Sequence, residues 1–443
     1  MLGKYHIQDR FGQSEIHRES ELTRVFSGNF RFKRLENRGR NLITCGRSSM
    51  DPTVRYEGLA NMPDTTLGGE YRRPRILMYS QRNIYPHDAW RTPHYEFEDI
   101  VRRIDSVELL APPPMARFRR CNKRVQAIAK NYGIVLNPGV PKTAITDRYD
   151  MLFAFFSFPR DLLNFTLKND WKDRCRMSVC MIDETWLNLI SQQKCFLKLL
   201  SKFDNIVLYY SQSVKAISKV TGKKCFFLPP GIDALRFCPY PDPPKKVIDV
   251  LSIGRRSEAT HQKLLEMARG RNFFYVHDSI SGNQIIHSEE HRNMLANMAK
   301  RSRFYIVNPG LIDRPDVRGD QIEIGNRYFE GAASGCIMVG EIPGNEAYGN
   351  LFDWPDAVIH LPFGSDRIGT IIDEFDKHPD REEGIRRNNI IQSLRRHDWV
   401  YRWESILKIG GLDPAPGLLK RKEQLEKLAT IVEAETNPQD QAA

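Results

Sequence analysis

From residue 75 onward, short apolar runs alternate with longer stretches whose apolar positions recur at helical spacing. The runs 75–79, 107–110, 149–156, 177–182 and 206–210 have strand length and are mostly apolar, with at most one polar residue inside each. A run that is apolar on both alternating faces has no side to offer water, so these strands belong in a sheet covered on both faces. The stretches between them, 95–104, 119–132, 160–167, 187–202 and 213–221, read as the covering helices, and strand–helix alternation of this kind predicts a parallel sheet. Phe226-Phe-Leu-Pro-Pro-Gly-Ile-Asp233 ends the series, because proline cannot continue a ladder and glycine turns the chain. A stiff connector, Pro239-Tyr-Pro-Asp-Pro-Pro244, follows it.

Beyond the connector the alternation restarts, with strands at 248–253, 273–276, 304–307, 336–339 and 358–361 and helices at 260–268 and 291–300. The predicted fold is α/β, with two doubly wound, Rossmann-like halves facing a cleft. An irregular, Arg-rich extension over 1–72 precedes them. The first half spans 73–238, the hinge 239–246 and the second half 247–412; a charged helix and a polar tail fill 413–443.

Composition narrows the class. At 443 residues the chain is too long for one ordinary core, and 41% hydrophobic with 27% charged residues is the balance of a folded globular protein. No apolar run approaches the roughly 18 residues that cross a bilayer, and the first ten residues lack the apolar centre of a signal peptide. The expected location is the cytoplasm, at most peripheral to a membrane. Eight cysteines without paired spacing argue against a zinc site or disulfide framework. The net charge of +11 is spread among acidic residues in short clusters such as Arg117-Phe-Arg-Arg120. That distribution favours a solvated basic surface, or attraction to anionic lipid or a nucleotide-linked substrate, over a nucleic-acid stripe.

The chemistry concentrates at 321–343. Asn326 is placed to cap a short helix that carries Arg327 and Glu330 on one face, Gly335 suits the left-handed position that stops it, and an apolar strand follows. Free N–H groups at a helix start favour a phosphate, and a carboxylate such as Glu330 suits a ribose diol. The bland alternative is an amphipathic helix with an exposed Glu323/Arg327 pair. Arg327-Tyr-Phe-Glu330-Gly-Ala-Ala-Ser-Gly335 resembles the nucleotide-sugar site of GT-B glycosyltransferases, specifically the family-4-like enzymes and their spore-coat CgeB-like branch. In that family two glutamates enclose seven residues; Glu323 and Glu330 enclose six.

The resemblance implies a glycosyltransferase that takes a sugar from a nucleoside diphosphate to a glycan, lipid-linked or small-molecule acceptor, with retention of configuration. It implies donor contacts from Gly254, Arg255, Arg256, Asn308, Arg327 and Glu330. Arg318 and Arg327 are the candidates to neutralise the departing diphosphate, and Glu323 the candidate to hold the sugar. No Asp-x-Asp triad is present, so neither a metal nor another cofactor is expected. His87 and His94 follow the first strand at the cleft edge, and His94 is the candidate acceptor base. Asp183 and Glu184 reach the same edge, where the stronger reading is an acidic helix start favourable to the macrodipole. Two other readings stay open: a nucleotide-sugar epimerase or hydrolase of the same fold, and a non-catalytic basic module for nucleic acid or membrane.

Overall fold

The computed structural model describes residues 74–113, 118–168, 171–279 and 284–435. The extension expected over 1–72, the side chains of the 117–120 cluster and the tail beyond 435 lie outside them. Eleven strands form two all-parallel sheets among the described residues. The first holds β1 (Ile76–Tyr79), β2 (Val107–Leu110), β3 (Tyr149–Phe156), β4 (Cys175–Ile182), β5 (Asn205–Leu208) and β6 (Lys224–Phe227), in the order β2-β1-β3-β4-β5-β6. The second holds β7 (Ile248–Ser252), β8 (Tyr275–His277), β9 (Ser302–Val307), β10 (Ile337–Gly340) and β11 (Ile359–His360), in the order β11-β10-β9-β7-β8.

Burial follows the apolar runs. Every residue of β1 and β10 is buried, as is β3 from Met151 onward, because helices cover both faces of each sheet. The edge strands β2 and β6 are half-exposed, and their sequences are correspondingly mixed. Two expected helices are tighter than predicted: Pro159–Asn164 and Leu187–Gln193 are 3-10 turns. In the helix Asn326–Ala333 the capping position belongs to Gly325, so Asn326 is the first helical residue and caps nothing with its side chain.

The second half does not end where the sequence placed it. The helix Trp399–Gly410 leaves the second sheet and packs on the first, with the Trp399 ring 5.1 Å from Phe97 and the Trp403 ring 5.5 Å from Phe153. Gly410 permits this approach, since a Cβ there would stand 2.7 Å from Met151 Sδ. The following helix, Pro416–Ala434, packs there too, and a Cβ at Gly417 would stand 2.7 Å from the Ile104 carbonyl. Its Arg421 is the fastener: the guanidinium donates to Asp398 at 2.7 and 2.8 Å and to Asp233 at 2.8 Å. The halves are therefore joined twice, through the segment after β6 and through the chain at Asp398, where Ile232 forms an isolated bridge with Asp398.

Candidate active site

In an open parallel sheet ligands bind beyond the carboxyl ends of the strands. At the end of β7 the chain passes through Gly254, whose φ of +94° disfavours a side chain. A Cβ there would lie 3.6 Å from Arg327 Nε, so the loop and the helix Asn326–Ala333 meet at this glycine and this guanidinium. Arg327 is itself held from behind. Its Nη1 donates to Glu330 Oε2, while Arg292 Nη1 donates to Oε1 and Tyr305 Oη donates to Oε2 at 3.2 Å.

That arrangement changes the role expected for Glu330. The side chain is 1% exposed and both carboxylate oxygens are engaged, so no face is open to a ribose diol. Burial works against its charge, but Arg327 and Arg292 outweigh burial and keep the carboxyl below its ordinary range. Glu330 is an ionised anchor for two arginines. Arg292 also donates to Glu96 of the first half, through Nε at 2.8 Å and Nη2 at 3.1 Å, and Trp399 Nε1 donates to the same carboxylate at 2.9 Å. A continuous buried charge network thus links the site helix to the other half.

The remaining donor-side candidates are dispersed. Arg255 points outward and grips Asp313 at 2.7 and 2.9 Å, and its carbonyl accepts from Asn308 Nδ2 at 3.4 Å. Arg256 turns toward β8, donating to the Asp278 carbonyl at 2.9 Å. Arg318 donates to the carbonyls of Gly319 and Gln321 within its own loop, and its Nε is buried without a partner. This inward turn takes Arg318 away from the diphosphate-binding task expected of it.

Glu323 lies at the seam between the halves. Its Oε1 accepts from Gln321 Nε2 at 2.8 Å and from Gln212 N at 3.4 Å, and burial raises its carboxyl to about 7. Gln321 fastens the seam, donating to the Thr185 carbonyl and to Ser213 Oγ at 3.1 Å each while Leu187 N donates to it at 2.8 Å. Close approach continues at Gly310, where a Cβ would stand 3.3 Å from Tyr210 Oη and 3.4 Å from the Trp186 ring.

On the first-half side, His94 is buried at 3% exposure and stacked 3.9 Å from Phe155. Both ring nitrogens are occupied, Nε2 by Asp183 Oδ2 at 2.9 Å and Nδ1 by Ser157 Oγ at 3.3 Å. An acceptor hydroxyl has no path to either, so His94 is no direct base. His87 pairs its Nδ1 with the Ile285 carbonyl across the halves at 3.0 Å, in a backbone bridge. Asp183 and Glu184 do not start a helix; they continue β4 as extended chain, their amides bonded to the carbonyls of Phe156 and Ser157. Glu184 Oε2 accepts from Trp186 Nε1 at 3.1 Å. Burial, then the Asp183 charge, lift its carboxyl to about 7, against the pull of Trp186, Arg160 and Arg255.

Arg292, Glu96 and Tyr305 were not singled out from sequence, and neither was His291, whose pKa falls through burial and then Arg327 and Arg292. Arg292 stands four residues before Ala296 on a helix whose buried face includes both, a buried arginine that periodicity alone would have marked as unusual.

Two parallel sheets of the doubly wound kind, each with its strand ends turned to a polar site, define the GT-B class of α/β protein. Residues 255–408 match the glycosyl transferase-like family model, a span that includes the second-half site from Arg255 through Glu330. Among solved structures, the chain is similar to the Candida albicans trehalose-6-phosphate phosphatase N-terminal domain, at 11% identity over 78% of this chain and 98% of that one, with a TM-score of 0.49. It is also similar to an alpha-glucosyltransferase in complex with UDP-glucose and DNA containing an abasic site, at 11% identity over 76% and 99%, with a TM-score of 0.44. No protein with a curated description matches the chain.

Proposed function

We propose that this chain moves a glycosyl group from a nucleoside diphosphate sugar to an acceptor hydroxyl without a metal ion. One observation carries the reading: Arg327, locked by the buried Glu330, faces the positive-φ glycine at the end of β7. A diphosphate against that glycine would meet a fixed guanidinium, and a guanidinium binds phosphate oxygens through charge-assisted, paired hydrogen bonds. Arg327 then stabilises the charge that builds on the leaving diphosphate as the glycosidic bond breaks. Asp278 now accepts from Gly254 N at 2.5 Å, so donor binding exchanges one anion for another at this amide.

Retention, the course implied by the family resemblance, lets a diphosphate oxygen take the acceptor proton and asks for no protein base. The acceptor-side carboxyls at the end of β4 favour a second course, inversion, in which the protein takes that proton.

The test is a thermal-shift and calorimetric screen of the full chain against nucleoside diphosphates and their sugars, with and without EDTA. At least one nucleotide should raise the melting temperature, unaffected by the chelator. Arg327→Met should weaken it by about tenfold to a hundredfold, as expected for a lost hydrogen bond between charged groups. No shift at saturating concentrations would sink the donor reading, and salt-sensitive binding of DNA or RNA in its place would support the basic-module alternative.

A further inference from the structure

Resting on the glycosyl-transfer reading above, we propose that Glu184 is the catalytic base that accepts the acceptor's proton, with the His94–Asp183 pair behind it as its positioning support. Three placements point to it. Glu184 lies two residues past the end of β4, at the carboxyl edge of the first sheet, where an acceptor facing the second-half donor would enter. Its Oε2 is fixed by the Trp186 indole at 3.1 Å, which leaves Oε1 for a substrate hydroxyl. Trp186 and Tyr210, with ring centroids 4.7 Å apart, meet Gly310 of the second half, so Glu184 stands beside the seam between the halves.

The surroundings suit a proton acceptor at neutral pH. Asp183 is the neighbouring anion, and the His94 ring holds it in place; Arg160 and, from the second half, Arg255 are the cations. Tyr210 feels the charges of Glu184, Asp183 and Glu323 together, and Asp313 pairs with Arg255. Burial and Asp183 lift the carboxyl to about 7, within the range in which a general base works best. A carboxylate crowded by a like charge and partly desolvated is a common way to reach that value.

The step balances simply. The acceptor O–H bond breaks and its proton passes to Glu184 Oε1. The oxygen's electron pair forms the new bond to the anomeric carbon, while the bond from that carbon to the diphosphate breaks and its electron pair leaves on the diphosphate. Attack from the face opposite the leaving group inverts the anomeric configuration.

The experiment follows nucleoside diphosphate release from UDP-, GDP- and ADP-sugars, water serving as acceptor, between pH 5 and 9, with nucleotide affinity measured in parallel. Because the base acts only when deprotonated, the wild-type rate should rise with pH through a midpoint near 7. Glu184→Gln should lower it by about a hundredfold to ten-thousandfold and abolish that limb, with nucleotide affinity unchanged within about twofold. Trp186→Phe removes a donor to the ionised carboxylate, so it should move the limb to higher pH and leave a titrating rate. A wild-type profile in Glu184→Gln would overturn the proposal while leaving the donor reading intact. Loss of nucleotide affinity in that variant would assign Glu184 to the donor side and overturn it too. A wild-type protein that binds no nucleotide would overturn the donor reading and this inference together.

Discussion

Glu330 on the donor side and Glu184 and Glu323 along the seam are the same chemical group in opposite electrostatic surroundings. Glu330 is the most deeply buried of them, yet Arg292 and Arg327 compensate its charge and keep it ionised. Glu323 has only neutral donors, Gln321 and the backbone of Ser211 and Gln212, and Glu184 has an anion for a neighbour; both rise to about 7. Burial alone therefore does not say what a carboxyl does. The count and placement of nearby cations decide whether it is a fixed anion that orients arginines or a group that exchanges protons near neutrality.

The largest expected effect breaks the donor side of that contrast. Arg292 is the cation shared by Glu96 and Glu330, and Arg292→Met would leave two buried carboxylates short of their counter-charge. Removing one partner of a buried ion pair costs about 3–5 kcal/mol, and urea unfolding of the variant should show a loss of that order. A loss below about 1 kcal/mol would mean that Glu330 takes up a proton when its partner goes, and the two regions would then differ less than their geometry implies.

A smaller effect reads the sign of the contrast directly. Glu323 is raised from 4.5 to about 7, so between those values the native state keeps a proton that the unfolded chain has released. Stability then falls as pH rises through the window, by at most about 3 kcal/mol for a shift of this size, and Glu184 contributes with the same sign. Glu330 behaves oppositely: its contribution is present above the ordinary carboxyl range and is lost as pH falls through its depressed value. Urea midpoints between pH 3 and 8 should show Glu323→Gln flattening the decline between pH 5 and 7. Glu330→Gln should lower the midpoint throughout the range above about pH 4.5 and remove the acid decline that Glu330 contributes below it. A flat wild-type profile from pH 5 to 7 would remove the basis for treating the seam carboxyls as titrating groups.

Much of the fold was legible because both sheets are built from continuous apolar runs. Residues 107–110 and 149–156 are strands over the predicted bounds, and the glycine stop at Gly335 has the left-handed φ of +62° that its place after a helix requires. What failed needed tertiary information. The spacing of Trp399 and Trp403 shows that one face of their helix is buried, but not that it covers the first sheet after the chain has built the second. The segment around Arg327 and Glu330 was recognisable, yet whether Glu330 is open to a ligand depends on Arg292, 38 positions earlier, and through it on Glu96, 196 positions before Arg292. Glu184 looks like a helix-start acid because 187–202 reads as helix; the first part of that stretch, Leu187–Gln193, is a 3-10 turn whose first amide is held by Gln321 from the other half. A histidine after a first strand draws the eye as a base, and only its two occupied nitrogens show that it supports a neighbour.

The smallest expected effect concerns Arg255, the one candidate cation that touches both sides of the comparison. The family resemblance implies it as a diphosphate ligand, and it is also a second-half charge that favours the ionised form of Glu184. Its side chain is 43% exposed and already paired with Asp313, so its influence is screened by solvent and reduced further by salt. Arg255→Gln should therefore raise the titration midpoint of Glu184 by only a fraction of a pH unit. Carbon-13 NMR of glutamate-labelled protein, with the resonance assigned from Glu184→Gln, reads that shift without any substrate. The displacement should shrink between low salt and about 0.5 M, where the Debye length drops to a few ångströms. If the midpoint stays put while nucleotide affinity falls several-fold, Arg255 serves the donor alone. If both move, one guanidinium couples the charge of the bound diphosphate to the proton affinity of the base: a donor that occupies Arg255 would raise the affinity of Glu184 for the acceptor's proton just as the acceptor is needed.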